Sequence, residues 1–302
     1  MMRSLTLNLS IELTHELNVC QMNSTGNNNV SVIILTRNSA CELERCLKSI
    51  IQEHPGEIIA VDALSTDGTR EILRAYNVKT LDDQVRSMGY ARQLGVAAAK
   101  ETYVMFVDSD VELSRGCIRT MLRDLEEHGW TGVHAQLRST ENVSYWQKAE
   151  NEVLGDYYSR PGSRNRIDTI VALFRRKPLL EFPFDPHMRE AAEDIDICRR
   201  LTEHGYHFGV SDAIAYHLHR REFSAFVRQR FRYGLGNVRL YVKYRETRKI
   251  INPLVTAFSN IIRTLHRLRL VPYYFVEGAV KFLGVAAGLP NALRQMNPVS
   301  TS

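Results

Sequence analysis

The sequence predicts an α/β protein: a mostly parallel, Rossmann-like central sheet flanked by helices, followed by a helical segment that is basic and then apolar. Three observations predict it. Short β-branched runs alternate with helical patterns from residue 30 to about residue 137, as in strands joined by helical crossovers. The runs at 30–35 and 103–107 are almost continuously apolar, the pattern of strands buried on both faces. Charge is also unevenly placed. From His219 to Ser302 there are fifteen Lys or Arg against three Asp or Glu, a net of +12, whereas residues 1–218 sum to −7. An acidic body joined to a basic segment points to two different partners.

Taken in order, residues 1–28 read as a disordered tail. Glu12, His15 and Glu16 interrupt any apolar core that a signal peptide would need. The first strand, 30–35, leads to a helix in which Ser39 and Glu42 predict a capping box and Leu43, Cys46, Leu47, Ile50 and Ile51 repeat at helical spacing. A second strand, 57–61, is followed by the turn Ser65-Thr66-Asp67-Gly68 and a helix carrying Ile72 and Leu73. Next come a helix around Met88, Ala91 and Leu94, the strand 102–107, and a helix carrying Ile118, Met121, Leu122 and Leu125 that Gly129 stops. Beyond Trp130 the pattern is less regular, with strands expected at 132–137 and 167–174. Helical spacing returns through Ile195, Cys198 and Leu201 and ends at Gly205. The domain so defined spans residues 29–220.

Residues 221–302 form the basic, then apolar, helical region. The run 270–289 is long enough to cross a bilayer, but Glu277 and Lys281 sit inside it as an i,i+4 pair. A helix lying in the membrane interface is the favoured expectation, with a spanning hairpin as the alternative. Five cysteines with no C-x-x-C pair argue against a disulfide framework or a zinc cluster, and suit a reducing cytosol.

Doubly wound sheets bind ligands at the carboxyl ends of their strands. The residues at those ends here are Thr36 and Asn38, then Asp62, then Asp108-Ser109-Asp110 with Glu112 just beyond. Two carboxylates one residue apart can hold a divalent cation, Mn²⁺ or Mg²⁺, and through it a diphosphate. Asp62 can accept hydrogen bonds from a base or ribose, and Arg92 can neutralise a phosphate or pack on the base. No G-x-G-x-x-G follows the first strand and no Walker loop occurs, which removes support for a dehydrogenase or a P-loop nucleotidase.

Residues 30 to about 233 resemble glycosyltransferase family 2, the nucleotide-sugar-dependent, inverting enzymes of the GT-A fold. The resemblance lies in the opening strand and turn at 30–38, the stretch 57–69 containing Asp62, and Ala91-Arg92 followed by Gln93 where that family has Asn. It continues through Asp108-Ser109-Asp110, and through Phe184-Asp185 with Glu193-Asp194-Ile195-Asp196. It implies that Asp62 contacts the nucleobase and that Asp108 and Asp110 hold the metal. It also implies that Asp194 or Glu193 is the base that takes the acceptor hydroxyl proton. Near a helix N-terminus, the dipole would keep the Asp194 carboxylate ionised. The third metal ligand is Glu112 or His217; His219 shares the latter's strand face. Gln229, Arg232 and Tyr233 resemble the Q-x-x-R-W segment of processive members, with Tyr for Trp, which implies binding of a glycan acceptor. The expected partners are a nucleotide sugar, a lipid-linked or other membrane-proximal acceptor, and the membrane surface at its cytoplasmic face. Two other readings compete. A sugar nucleotidyltransferase would need a Gly-rich loop after the first strand, and residues 36–42 contain no Gly. A single-strand nucleic-acid binder would rest on the Arg and aromatic residues of 220–249.

Overall fold

Residues Val30–Thr36 form β1, and their alternate side chains enter two different cores. Val30, Val32 and Ile34 pack on one face of the sheet and Ile33 on the other, which is why the run is apolar but for Ser31. The computed structural model describes residues 27–84, 87–139, 144–218 and 222–296. Nearly all of the expected tail lies outside them, as does His219.

The chain continues through α1 (Ala40–Gln52), β2 (Glu57–Asp62), α2 (Thr69–Ala75), β3 (Lys79–Asp82), α3 (Met88–Ala98) and β4 (Tyr103–Asp108). Strands β3, β2, β1 and β4 lie side by side and parallel, the half of the sheet that the alternating pattern announces. Then follow β5 (Val111–Leu113), α4 (Cys117–Glu127), β6 (Gly132–Arg138), α5 (Tyr145–Tyr158), β7 (Gly162–Arg164), β8 (Val171–Arg175) and α6 (Arg176–Glu181). The domain closes with α7 (Glu193–Glu203) and β9 (Phe208–His217). In this second half β8 runs antiparallel to β4 and to β6, while β5 and β7 run antiparallel to β9. The sheet is therefore mixed, with nine strands in the order β3-β2-β1-β4-β8-β6-β9-β5 and β7 paired to β9. Strands β5 and β7 have three residues each, too few to show a period.

The capping box expected at Ser39 does not form; the Ser39 side chain makes no cap hydrogen bond. The β2–α2 loop takes over instead. The Ser39 amide donates to Thr69 Oγ1 at 2.8 Å and the Ala40 amide to Asp67 Oδ2 at 3.1 Å. A true capping box lies at Ser144 and Gln147, opening α5. Gly129 and Gly205, at φ +64° and +82°, follow α4 and α7 as stops.

The C-terminal helices are α8 (Phe223–Lys243), a 3₁₀ turn Thr247–Ile251, α9 (Asn252–Arg263), a second 3₁₀ turn Leu265–Leu270, and α10 (Val271–Met296). Leu265–Arg294 is, among the described residues, the one helix long and apolar enough to cross a membrane. The two charges inside the run face protein: Lys281 Nζ lies 2.8 Å from Glu277, and Arg230 of α8 lies 3.4 Å from Glu277 and 2.6 Å from Glu150 of α5. Around them Ala149, Phe226, Leu270, Tyr273 and Tyr274 form a core cluster that ties α10 to α5 and α8. Contact between α8 and α10 is very close. A Cβ at Gly284 would lie 2.2 Å from the Phe231 carbonyl oxygen. Gly284→Ala should force the helices apart and destabilise the fold by about 1–3 kcal/mol, lowering the urea midpoint. An unchanged midpoint would show that the helices do not approach so closely.

Candidate functional site

At the carboxyl ends of β1, β2 and β4 the sheet opens into a cleft of about 890 Å³. Beside it, between the sheet and the C-terminal helices, lies a cavity of about 820 Å³. Met88, Asp108 and Arg232 line both.

Thr36, Asn38, Asp108, Ser109 and Asp110 line the cleft. Asp62 does not, and here the structure corrects the sequence reading. Its carboxylate is fully buried and accepts from Thr36 Oγ1 at 2.9 Å, the Ser65 amide at 2.9 Å and Arg70 Nε at 2.7 Å. Strand alternation turns its neighbours Val61 and Ala63 to the cleft in its place. Asp62 thus shapes the rim through Ser65 and Thr36 and offers nothing to a base directly. Asn38, at φ +51°, likewise buttresses the rim by accepting from the Thr66 amide at 2.9 Å. Asp83 and Ser87, not singled out by sequence, line the same cleft, with the Ser87 amide donating to Asp83 at 3.1 Å.

Arg92 is placed differently from its expected role against a phosphate or base. It is 3% exposed, donates from Nε to Glu193 at 2.9 Å, stands 3.7 Å from Asp108 and lies over the Phe106 ring at 5.1 Å. Its charge is committed to two carboxylates on opposite sides of the site. The acids at 185–196 can now be told apart. Asp185 and Asp196 each lie 2.6 Å from Lys243, and Glu193 holds Arg92. Asp194 makes no ion pair among the described residues and accepts from the Ile195 amide at 2.7 Å. It lines the cavity together with Asp108 and Asp168.

Burial and neighbouring acids oppose the helix end at Asp194. Burial, with the charges of Glu193 and Asp168, raises its carboxyl to about 7. Burial also raises Asp108 to about 7; Arg92 opposes the rise and Asp110 adds to it. Burial alone would lower the His217 imidazole, but Asp110 and then Asp108 outweigh it and hold it at about 9.

Asp110 and His217 come together: β5 pairs with β9, the Leu218 amide donates to the Asp110 carbonyl at 3.0 Å, and His217 Nε2 lies 3.3 Å from Asp110 Oδ1. Glu112, the other expected ligand, lies away from them; its carboxylate pairs with Arg45 of α1 at 3.4 Å and lines neither space. Gln229, Arg232 and Tyr233 all line the cavity. Asp168 was not anticipated. Burial works against its ionised form, but His134 at 2.7 Å and the Tyr158 hydroxyl at 2.5 Å hold its carboxyl below the usual range. The only sequence signal was a polar Asp168-Thr169 pair interrupting an apolar run.

Residues 31–182 match the family model described as glycosyl transferase family 2. The chain is 24% identical over 227 residues to glycosyltransferase AglE of Haloferax volcanii, covering 70% of this chain and 74% of that protein. It is 29% identical over 150 residues to the putative teichuronic acid biosynthesis glycosyltransferase TuaG of Bacillus subtilis, covering 42% and 59%. Among solved structures, S. aureus TarS 1-349 superposes with a TM-score of 0.51 at 16% identity, over 89% of this chain and 92% of that one.

Proposed function

The chain belongs to glycosyl transferase family 2, and on that premise we propose that it moves a sugar from a nucleotide-diphosphate sugar to a lipid-linked or other membrane-proximal acceptor, at the cytoplasmic face of the membrane. The observation that carries this reading is the shared wall of the two spaces. Asp108 faces both the strand-end cleft, where a nucleotide diphosphate would lie, and the cavity that holds Asp194.

In this reading Thr36, Asn38 and Asp83 shape the nucleotide side, and Arg232 reaches the sugar diphosphate from the C-terminal helices. Arg232 has no carboxylate partner among the described residues, so its charge is available to a phosphate. Asp194 takes the acceptor hydroxyl proton as the oxygen attacks the anomeric carbon in line with the departing diphosphate, which inverts the configuration. Arg92 orients both sides by holding Glu193 and Asp108. Gln229 and Tyr233 border the acceptor's path.

Two carboxylates and an imidazole at strand ends form a donor set that suits Mn²⁺ or Mg²⁺. Among the described residues no three such side chains converge as a preformed cage. Magnesium-like ions usually take one or two carboxylates and complete their shell with phosphate and water, so Asp110 and Asp108 with His217 fit a site that the substrate completes. Held by Asp110, Asp108 and His217, such an ion would neutralise charge on the leaving diphosphate. His217 must lose its proton to ligate, so binding should release protons and tighten as pH rises toward 9.

Release of nucleoside diphosphate from a panel of nucleotide sugars with Mn²⁺ tests the proposal. Asp110→Ala should lower release by about 10²-fold or more, and a chelator should do the same to the wild type. Full activity in Asp110→Ala would remove the metal assignment. Release of pyrophosphate from a nucleoside triphosphate and a sugar phosphate would replace transfer by nucleotidyl transfer.

A further inference from the structure

Ten of the sixteen exposed large apolar side chains among the described residues fall within positions 251–293. Most of them belong to α9 and its flanking turns: Ile251, Leu254, Val255, Phe258, Ile262 and Leu265, with Phe258 66% exposed. Their spacing puts them along one face of a single helix. The opposite face of α9 is occupied. Asn252, Pro253, Thr256 and Ala257 line the cavity that also contains Asp108 and Asp194. The long apolar helix α10 differs, since Tyr273, Tyr274 and Val285 are buried against protein and its Glu277 is held between Lys281 and Arg230 of α8.

We propose that α9 is the membrane-docking element, laying its outer face into a bilayer that contains anionic lipid, so that the inner face presents the acceptor cavity to that surface. Charge selects this occupant. From Thr247 to Ser302 the sole acidic residue is Glu277, which α10 turns inward. Arg248 before α9 and Arg263 in its last turn are exposed and have no carboxylate partner among the described residues. An apolar helical face edged by unpaired guanidinium groups, with no outward acid, matches an anionic interface. A spanning role for α10 would require stripping Glu277 from Arg230 and carrying Glu277 and Lys281 into the bilayer. The inference rests on the transferase reading only for what enters the cavity; docking itself requires no catalysis.

The test is sedimentation of the full chain with extruded phosphatidylcholine vesicles, with and without phosphatidylglycerol. The wild type should pellet with the phosphatidylglycerol vesicles in a salt-sensitive way. Phe258→Glu with Ile262→Glu should weaken that binding by about tenfold or more, and Arg248→Glu with Arg263→Glu should weaken it likewise. Leu283→Glu, on the outer face of α10, should weaken it much less. Each variant is compared with wild type by urea unfolding and by donor hydrolysis without acceptor, and both should be unchanged. Wild-type-like binding by the Phe258/Ile262 variant overturns the proposal. So does a lipid-free dimer that this variant dissociates, because a second copy would then cover the face. A chain that docks but hydrolyses no nucleotide sugar supports the docking surface while removing the transferase reading.

Discussion

Asp194→Asn should lower glycosyl transfer by about 10²–10⁴-fold while leaving nucleotide-sugar binding nearly intact. The carboxylate is the one acid of 185–196 that no cation claims among the described residues, and it shares its cavity with Asp108. Removing it deletes the proton acceptor without touching the nucleotide cleft, so the loss should fall on kcat and not on the donor KM. A pH profile adds a second readout. Because the Asp194 carboxyl is raised to about 7, the unprotonated base is lost as pH falls through that value, and kcat/KM should level off above it. Stability should move the other way. A carboxyl that binds its proton more tightly folded than unfolded costs stability as pH rises from its unfolded value through 7, so Asn at this position should hold or raise the urea midpoint at pH 8. Transfer at the wild-type rate in Asp194→Asn would leave Glu193 as the base, in spite of its pairing with Arg92.

Arg92→Met should be the most destabilising single substitution in the site, by about 3–5 kcal/mol. The guanidinium is 3% exposed and Glu193 4% exposed, so deletion leaves an uncompensated buried carboxylate opposite Asp108. Glu193→Gln placed on top of Arg92→Met should recover much of the loss, because the stranded charge is then gone. Arg92→Lys should not rescue fully, since a point charge cannot reach both acids as the planar fork does. Urea unfolding of the two single variants and the double variant measures the coupling. A loss below about 1 kcal/mol in Arg92→Met would mean that Glu193 is solvated or protonated in the native state.

The parallel half of the sheet was legible because β1, β2 and β4 are buried on both faces and their apolar runs carry that burial directly. Strands β6 and β8 also fall on the expected runs 132–137 and 167–174, but β3, β5 and β7 were not legible. Strand β3 is largely exposed, and β5 and β7 are three residues long. Helix α5 was missed although its cap is, among the described residues, the one capping box that forms, because its buried face includes the polar Gln147 and Glu150. Gln147 serves the cap itself, while Glu150 accepts from Arg230, about eighty residues away in sequence.

The site divides along the same line. Which residue types meet at the strand ends followed from the sequence, since an α/β sheet delivers the ends of β1, β2 and β4 to one rim whatever lies between them. Which of those side chains face a ligand did not. Asp62 turned inward because Thr36, Ser65 and Arg70 satisfy it; Glu112 went to Arg45; Arg92 became the link between Asp108 and Glu193. In each case the outcome depended on a partner distant in the chain, and on the alternation of a strand whose register only the assembled sheet sets. The basic, apolar character of residues 221–302 was likewise plain from composition. That α10 turns its charges inward and α9 its apolar face outward was decided by tertiary packing, because buried charges demand partners and only the fold brings Arg230 to Glu277 and Glu150.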